Sequence, residues 1–392
     1  MKIAFFVIVI AVVSSAGAAS KVTYDVTSFG AKGDGYTDST KAFLSAWSYA
    51  CNSTKSAVIN VPSGTYLLAT AITFAGERCK SSSIMMRIYG TLVAPSNYNA
   101  IATSGDWIRF HRVSHVTISG GTLDGQGASL WSCKTSGKSC PSGATTLGIY
   151  NSNNIVISGL KLVNSQMFHI LIDACANVKL QGVTISASGV SPNTDGIHLI
   201  SSTDVTIVST KIATGDDCIS IGPGNTNLWI EKVACGPGHG ISIGSLGWQL
   251  EEPGVQNITV TTVTFRGTQN GVRIKTWARA SHGFVTGVSF QHVTMINVKN
   301  PIIIDQRYCP DNNNCPNQAA GVKIKNVLYE DIHGTSDTQV AVKLDCSQGN
   351  PCAGIRLQDV NLNYTSVDKP ALSSCAYAAG SASGILRPTS CL

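Results

Sequence analysis

The stretch DGIHLISSTDVTIVSTKIATGDDCISIG, residues 195–222, decides the fold of this 392-residue chain. It contains a short apolar segment, GIHLI, then the alternating segment VTIVSTKI, and then a second short apolar segment, CISIG. Apolar residues alternate with small or polar ones, which is the two-residue period of a β-strand with one buried face. The stretch therefore predicts two kinds of short strand that follow one another in turn.

Both kinds of segment return along the chain. The alternating segments begin at Val116, Ile155, Val178, Val205, Ile258, Val285, Val322 and Ile355. The short apolar series has its first apolar residues, or anchors, at Ile197, Ile219, Ile241, Val272 and Ile302, at intervals of 22, 22, 31 and 30 residues. Repeats of this length are typical of a solenoid. We predict an all-β protein: a single-domain right-handed parallel β-helix over residues 20–392.

One segment has a helical period instead, residues 37–50, TDSTKAFLSAWSYA. Thr37 or Asp38 can cap its N-terminus. Its apolar face consists of Ala42, Phe43, Ala46 and Trp47. Because the segment precedes the first repeats, we predict a short helix that caps the open N-terminal end of the solenoid.

Residues 1–19 have the pattern of a signal peptide. Lys2 precedes the apolar run 3–13, and small residues follow as far as Ala18 and Ala19, where cleavage is expected. The apolar run is too short to span a bilayer, and no later stretch is long enough. The net charge of +6 is spread without a Lys/Arg block. We expect a secreted protein without a membrane anchor and without a nucleic-acid partner.

All 13 cysteines lie after residue 19. In an oxidising compartment their close spacing predicts disulfides rather than metal ligands. The predicted pairs are Cys51–Cys79, Cys133–Cys140, Cys218–Cys235, Cys309–Cys315, Cys346–Cys352 and Cys375–Cys391. Cys175 stays unpaired, and we expect it to be a small buried side chain. Three acceptor triplets permit N-glycans, at Asn52, Asn257 and Asn363.

Charged residues collect around the anchors of the short apolar series. Asp195, Asp217 and His239 each stand two residues before an anchor, so they are predicted to stack in one column on consecutive turns, with Asp216 beside it. The positions directly after the anchors, which point away from the core, hold His198, Ser220, Ser242 and Arg273, and Lys275 follows on the same face. The sequence thus predicts acids, histidines and cations on one outer face.

Each of these residues also has an ordinary structural explanation. An aspartate before a strand often only forms the turn, a histidine often only packs, and a basic strand face often only meets solvent. Turn formation does not call for cations, however, so the set as a whole favours a functional site. Adjacent carboxylates whose pKa values are split by their neighbours provide the acid and the base that glycoside hydrolysis needs.

Four blocks, in this order and spacing, resemble the signature of the polygalacturonases, a family of pectin-cleaving glycoside hydrolases. They are SPNTDGIH (191–198), GDDCISIG (215–222), CGPGHGISIGSLG (235–247) and RIK (273–275). The N-terminal segment YDVTSFGAKGDGYTDSTKAFLSAW and the later segment IIIDQRYC resemble plant members. The resemblance implies a right-handed parallel β-helix that hydrolyses α-1,4-linked galacturonan with inversion.

The resemblance also implies a role for each site residue. Asp216 would be the general acid, Asp195 and Asp217 would hold and activate water, and His239 would sustain the charge state of the acid. The residues expected to bind substrate are Arg273, Lys275, Tyr308 and Asn193. Arg273 and Lys275 suit a substrate that carries a carboxylate on each sugar. We expect a monomer in the plant cell wall that binds homogalacturonan and uses no cofactor and no metal.

Several alternatives remain open at the level of the sequence. Endo action is favoured over exo action by the RIKTW and DQRYCP segments. A pectate lyase of the same architecture would use Ca²⁺, which acid clusters can hold, and a non-catalytic pectin-binding wall protein would use the same scaffold. Trp248 stands where plant relatives generally have a basic residue, and it would either stack on a sugar or pack.

Overall fold

The computed structural model describes residues 21–310, 313–366 and 368–392. The predicted signal segment 1–19 lies outside them, so the division of the chain at residues 19 and 20 stays a prediction. The described part contains two α-helices, α1 (Thr40–Asn52) and α2 (Ala128–Thr135), and 3₁₀ turns at Val26–Phe29 and Tyr98–Ala100. It contains no helix that is both long and apolar enough to cross a membrane.

All other regular structure in the described residues is β-strand. The first fifteen strands are β1 Val22–Asp25, β2 Asp34–Asp38, β3 Ala57–Val61, β4 Thr65–Leu67, β5 Ile72–Ala75, β6 Ile84–Ile88, β7 Thr91–Val93, β8 Asp106–His111, β9 Ser114–Ser119, β10 Thr122–Asp124, β11 Thr145–Tyr150, β12 Asn153–Ser158, β13 Lys161–Val163, β14 Ile170–Asp173 and β15 Ala176–Gln181. The next fifteen are β16 Thr184–Ser186, β17 Ile197–Ile200, β18 Thr203–Ala213, β19 Ile219–Ile221, β20 Thr226–Cys235, β21 Ile241–Leu246, β22 Val255–Arg266, β23 Asn270–Trp277, β24 Phe284–Val298, β25 Asn300–Tyr308, β26 Lys323–Ser336, β27 Val340–Asp345, β28 Cys352–Tyr364, β29 Leu372–Ala376 and β30 Ala378–Arg387.

The strands form the predicted right-handed parallel β-helix. The short apolar series belongs to one sheet of eleven strands, β5, β8, β11, β14, β17, β19, β21, β23, β25, β27 and β29. The other nineteen strands form the second sheet, in which two columns of short strands merge at the long strand β18, since β15 and β16 both pair with it. The strands of both sheets pair in parallel, each with the equivalent strand of the next turn. Equivalent residues on successive turns are therefore neighbours.

The predicted register of the anchors is confirmed. Ile197 pairs with Ile219, Ile219 with Ile241, Ile241 with Val272, and Val272 with Ile302. All five side chains are completely buried in the core. The extra residues of the two longer repeats lie in the loops between β21 and β22 and between β23 and β24. The lengthening thus leaves the register of the sheet unchanged and changes only the rim beside it.

Several strands of the second sheet were missed from the sequence, among them those before β9, the last strand β30, and β20, which lies within the predicted series. Strand β20 lies between β18 and β22, with Leu228 opposite both Val205 and Ile258. Its inward residues are apolar, but the outward positions carry the large side chains Trp229 and Glu231, so the segment lacks the small β-branched composition of its neighbours.

A line of asparagines and one aspartate holds the turns together. Asn154, Asn177, Asp204, Asn227 and Asn257 all have a left-handed backbone, with φ between 52° and 58°. Asn177 donates to Asn154 at 2.6 Å, Asn227 to Asp204 at 3.1 Å, and Asn257 to Asn227 at 3.2 Å. Asparagine and aspartate tolerate this conformation better than other residues with a side chain. We call these five residues the asparagine ladder.

The capping helix exists but begins later than predicted. Residues 34–38 form β2, and α1 begins at Thr40, whose backbone N–H donates to Asp38 Oδ1 at 2.9 Å. The predicted apolar face is buried, and Trp47 packs against Phe74 and Phe110, with ring centroids 5.1 and 5.6 Å apart. The second helix, α2, was not predicted, because its eight residues are too few to show a helical period.

The predicted cysteine chemistry is confirmed. The six disulfides join the pairs that the spacing indicated. Cys175 is free and buried, and burial raises the pKa of its thiol to about 11. The three candidate glycan acceptors, Asn52, Asn257 and Asn363, are exposed; their modification stays a prediction.

Candidate active site

The charged residues predicted from the anchors meet in one cleft of about 340 Å³ on the outer face of the eleven-stranded sheet. Six of the eight predicted site residues line it: Asn193, Asp195, Asp216, Asp217, Lys275 and Tyr308. The other two contact residues of the lining, His239 through Asp216 and Arg273 through Asp217. Strands β17, β19, β21 and β23 and the turns before them therefore supply most of the site.

Asp217 is the most strongly paired of the three aspartates. Its carboxylate accepts hydrogen bonds from Arg273 Nη2, Lys275 Nζ and Ser242 Oγ, each at 2.8 Å, and only 1% of the residue is exposed. Burial by itself would raise the pKa of Asp217, but the charges of Lys275 and Arg273 outweigh it and hold the pKa well below its usual value. Asp217 is therefore ionised at any working pH.

The two cations come from a single strand. Arg273 and Lys275 are two residues apart on β23, so both point to the outer face, and Arg273 lies opposite Ser242 of β21. Arg273 Nε also donates to Ser242 Oγ at 2.9 Å. The sequence predicts the outer face, but the structure adds that the charged ends turn back onto Asp217, so that Arg273 and Lys275 are only 9% and 7% exposed.

Asp195 has the opposite environment. It is buried, and its nearest polar partner is His198, whose Nδ1 lies 2.9 Å from Asp195 Oδ2. Burial is the main cause that raises the pKa of Asp195 to about 6, the charges of Asp216 and Asp217 raise it further, and the hydrogen bond with His198 partly offsets them. Asp195 thus changes its protonation state in the weakly acidic range in which Asp217 stays charged.

Asp216 is paired with His239. His239 Nδ1 lies 3.0 Å from Asp216 Oδ1, and the backbone N–H of Asp217 donates to the same oxygen at 2.8 Å. The backbones of Asp195, Asp217 and His239 are stacked on three turns as predicted, since Gly196 N donates to Asp217 O and His239 N to Asp216 O. The side chains diverge from this stack, since the ring of His239 turns to Asp216 while Asp217 faces the cations.

Close backbone packing fixes the turns that carry the aspartates. Gly215, which precedes Asp216, lies so near Ser191 that a Cβ would come within 2.1 Å of the Ser191 carbonyl oxygen. Its N–H donates to Thr194 Oγ1 at 3.2 Å. Asn193 has a left-handed backbone with φ 56° and lines the cleft. The SPNTDG and GDD segments are therefore held against each other as one rigid unit.

Two residues beside Asp195 had no predicted role. The ring of Phe168 stacks on His198 at 4.2 Å with an interplanar angle of 4°, and Phe168 lines the cleft. His169 is fully buried, with Nδ1 3.1 Å from the carbonyl oxygen of Asp195, and burial lowers its pKa to about 4. Both lie in a loop before β14 that has no repeat pattern, so the sequence carries no signal for them.

The acid cluster is a poor cation site. Among the described residues, Asp216, Asp217 and His239 offer potential ligand atoms within 4.8 Å of one another. Both oxygens of Asp217, however, already accept from cationic groups at 2.8 Å. Ca²⁺ prefers six to eight oxygen ligands, and two positive charges at this distance repel it. The arrangement suits acid–base chemistry on a negatively charged substrate better than metal binding.

The chain is similar to proteins of known activity. The model of glycosyl hydrolases family 28 matches residues 51–384. A polygalacturonase from Prunus persica is 62% identical over 375 residues, 95% of this chain and 94% of that protein. An exopolygalacturonase from Platanus acerifolia is 43% identical, over 90% of this chain and 93% of that protein. The crystal structure of an endo-xylogalacturonan hydrolase from Aspergillus tubingensis superposes with a TM-score of 0.77 at 24% identity, over 93% of this chain and 100% of that one, and shows the fold.

Proposed function

The chain belongs to glycosyl hydrolases family 28, and on this premise we propose how its cleft cleaves pectin. It is a glycoside hydrolase of polygalacturonate. The linkage that we propose is the α-1,4-galacturonosyl bond of de-esterified homogalacturonan, and the proposed outcome is inversion at the anomeric carbon. The observation that supports acid–base hydrolysis is the opposite environment of Asp195 and Asp217 beside Asp216 in one cleft.

We assign the general acid to Asp216. Its carboxyl lines the cleft and is more exposed than those of Asp195 and Asp217, so it is the group best placed to meet a glycosidic oxygen. It gives its proton to that oxygen as the bond to the anomeric carbon breaks. His239, through the contact of its Nδ1 with Asp216 Oδ1, orients the carboxyl and sustains the charge state of the acid. After the product leaves, Asp216 regains a proton from solvent and Asp195 releases one to it. This assignment rests on the family resemblance together with the exposure and the contact.

Asp195 and Asp217 would receive the attacking water. The water oxygen bonds to the anomeric carbon on the face opposite the leaving oxygen, and its proton passes to a carboxylate. Asp217 is held as a fixed negative charge by Arg273 and Lys275, whereas Asp195, with its pKa near 6, can both accept and release a proton. We therefore propose that Asp195 takes the proton and that Asp217 orients the water.

The cations and Tyr308 would bind the uronate groups of the substrate. Lys275 lines the cleft, and only one of its three N–H donors is needed by Asp217. Arg273 uses Nε for Ser242 and Nη2 for Asp217, which leaves Nη1 for a carboxylate. Tyr308 stands beside both cations, with its ring centroid 5.1 Å from Lys275 Nζ. Asn193 supports the sugar from the opposite turn.

Asp216→Asn tests this assignment. We expect hydrolysis of polygalacturonic acid to fall by about 10²-fold or more, because the amide cannot give up a proton. The matched control is Asp204→Asn, an exposed aspartate of the asparagine ladder, which is expected to keep full activity. A folded Asp216→Asn protein with the turnover of the wild type would remove Asp216 from the role of acid.

The same assay separates the alternative functions. Reducing ends, viscosity and ultraviolet absorbance are followed together, with and without a chelator. Hydrolysis gives reducing ends without unsaturated product, whereas a lyase gives unsaturated product and is sensitive to the chelator. Binding without reducing ends indicates a non-catalytic wall protein. We propose endo action, which requires a steep early fall in viscosity; a slow fall indicates exo action.

We also propose that the protein works as a secreted monomer in the plant cell wall. The support is the signal pattern of residues 1–19, the six disulfides, which are typical of oxidising compartments, and a candidate cleft whose lining comes from one chain. Size-exclusion chromatography of protein collected from the culture medium checks both statements, since a retained or dimeric protein contradicts one of them.

A further inference from the structure

A row of aromatic rings adjoins the cleft. Tyr308 lines the cleft, Trp277 meets it edge to face at a centroid distance of 5.1 Å, and Trp248 meets Trp277 in the same way at 4.9 Å. Trp248 is 50% exposed. The row therefore connects the wall of the cleft at Tyr308 with an exposed tryptophan in the loop after β21.

A cation stands at the outer end of the row. The guanidinium of Arg279 lies 4.3 Å from the ring centroid of Trp248. The backbone of Arg279 is fixed on both sides, since its N–H donates to Trp277 O at 2.9 Å and its carbonyl accepts from Gly321 N at 2.7 Å. In the part of the chain that the structure describes, Arg279 makes no salt bridge. Its charge is therefore available to an anion from solution.

The acids of the neighbouring loop are already used. Glu252 accepts hydrogen bonds from the backbone N–H groups of Gly247, Trp248 and Gln249 at 2.5, 3.1 and 3.2 Å. Glu251 pairs instead with His282 at 2.8 Å. Glu252 thus gives the loop a defined shape that holds Trp248 out toward solvent, and neither carboxylate neutralises Arg279.

An exposed tryptophan beside an unpaired arginine has the chemistry to recognise a uronate. An aromatic ring offers a flat apolar surface for the C–H groups of a pyranose, and a guanidinium takes a carboxylate by two parallel hydrogen bonds. The cation–π contact holds the guanidinium in place before the ligand arrives, which lowers the entropy lost on binding. A single tryptophan–arginine pair can therefore bind both the ring and the carboxylate of one sugar.

We propose that Trp248 and Arg279 form an outer subsite for a galacturonate residue of the polymer whose scissile bond lies in the cleft. The proposal rests on the proposed function, because the same chain must occupy both places. The sequence left open whether Trp248 stacks on a sugar or packs against the protein. The proposal makes it a substrate-binding residue. It also predicts that the subsite is filled only by substrates long enough to reach it.

Chain length provides the test. Trp248→Ala and Arg279→Gln are assayed on de-esterified oligogalacturonates of increasing length and on polygalacturonic acid. We expect kcat/KM to fall about tenfold for the long substrates, as a contact of this kind is worth, and to stay at the wild-type value for the shortest oligomer that is cleaved. A loss that is equal at every length, or no loss on the polymer, overturns the proposal.

Two further variants identify the contact. Arg279→Lys keeps the charge but loses the bidentate geometry, so it is expected to lie between the wild type and Arg279→Gln. Trp229→Ala removes a tryptophan that is exposed to a similar extent, 45%, on β20 of the other sheet, and should change nothing. On oligomers that carry a methyl ester only on the galacturonate expected at this outer subsite, the effect of Arg279→Gln should vanish while that of Trp248→Ala persists.

A binding measurement keeps this test separate from the proposed function. Titration of long oligogalacturonates into the Asp216→Asn protein, with and without Trp248→Ala, reports the subsite without turnover. Weaker binding in the double variant supports the subsite even if the wild type hydrolyses nothing, in which case only the function fails. Equal binding by both proteins, each with an unchanged melting temperature, overturns the subsite whatever the activity.

Discussion

Asp195 and Asp217 occupy equivalent positions on neighbouring turns, yet their surroundings move their pKa values in opposite directions. Asp217 receives two cationic donors from β23, whereas Asp195 receives one histidine and lies beside two other carboxylates. A shift of one turn along the solenoid thus makes the difference between the two aspartates. Asp217 keeps its charge in the weakly acidic range, whereas Asp195 titrates there. Such a division is what acid–base catalysis by carboxylates requires.

The same two aspartates affect stability in opposite senses. The folded pKa of Asp195 is raised from 3.8 to about 6, so its contribution to stability is complete below 3.8 and is lost as the pH rises through 6. The folded pKa of Asp217 is lowered, so its contribution is present above 3.8 and is lost as the pH falls through the lowered value. Together the two contributions to the stability of the fold are largest at weakly acidic pH.

The pH dependence of activity belongs to this residue scale. If Asp195 must be ionised to accept the proton of water, kcat/KM rises with pH along a limb with its midpoint near 6. In His198→Phe the ring can still stack on Phe168 but the hydrogen bond to Asp195 is lost. Because that bond favours the ionised form, we expect the limb to move to higher pH.

His198→Asn is the matched control for this measurement. Its side-chain N–H can occupy the place of the histidine Nδ1, so the limb is expected to stay close to that of the wild type. An unchanged limb in His198→Phe would show that the group titrating in the profile is not Asp195, and a shift in both variants would show that loss of the imidazole, rather than of its hydrogen bond, is responsible.

At the scale of the element, the asparagine ladder shows how a turn is specified. Its five members share a left-handed backbone, and three of the four neighbouring pairs are joined by hydrogen bonds between side chains. A residue with a Cβ pays about 1–2 kcal/mol for this conformation unless its side chain compensates. The asparagine turns visible in the sequence are thus a conformational requirement of the solenoid as well as a pattern.

Asn227 allows this requirement to be measured. Asn227→Ala and Asn227→Gly both lose the hydrogen bonds to Asp204 and Asn257, but only alanine keeps a Cβ at φ 58°. We expect the free energy of unfolding of the alanine variant to be lower than that of the glycine variant by about 1 kcal/mol. Urea unfolding of the two proteins gives the difference, and equal stabilities would mean that the side-chain bonds, and not the backbone, decide the position.

For the whole molecule, the important property is that, in the described residues, the strands of each turn pair only with those of the neighbouring turns. The turns that carry the proposed catalytic residues lie on β17 to β23, whereas the capping helix α1 covers the first turns. In a solenoid, stability is approximately the sum of the turns and of the interfaces between them. Damage at the capped end is therefore expected to weaken the fold without altering the geometry of the site.

Trp47→Ala checks this separation. Trp47 is buried against Phe74 and Phe110, and its Nε1 donates to Ala75 O at 2.9 Å. We expect a loss of about 3–5 kcal/mol in the free energy of unfolding, with kcat/KM at room temperature unchanged. Leu44→Ala, on the exposed side of the same helix, should change neither quantity. A fall in kcat/KM of folded Trp47→Ala protein would show that the cap and the site are coupled.

The sequence by itself determined the architecture and which charged residues meet in the cleft. Strand period and repeat interval can both be read from short stretches of sequence. In a parallel solenoid the interval fixes which residues become neighbours, so the register of the five anchors followed from the number of residues between them. The close spacing of the cysteines gave the disulfides for the same reason. Among the elements that were missed, the short helix α2 and the strand β20 depart from the local pattern on which the prediction relied.

Only the tertiary structure decided what each site residue contacts. The bonds from Arg273 and Lys275 to Asp217 cross 56 and 58 residues of sequence and span more than one turn, and the turn of His239 toward Asp216 depends on side-chain rotation. Phe168, His169 and the pairing of Trp248 with Arg279 come from loops, where no period constrains position. Periodicity fixes which backbone positions stack, but the charge of a buried carboxyl depends on the atoms that surround it, and those are assembled only when the turns close on one another.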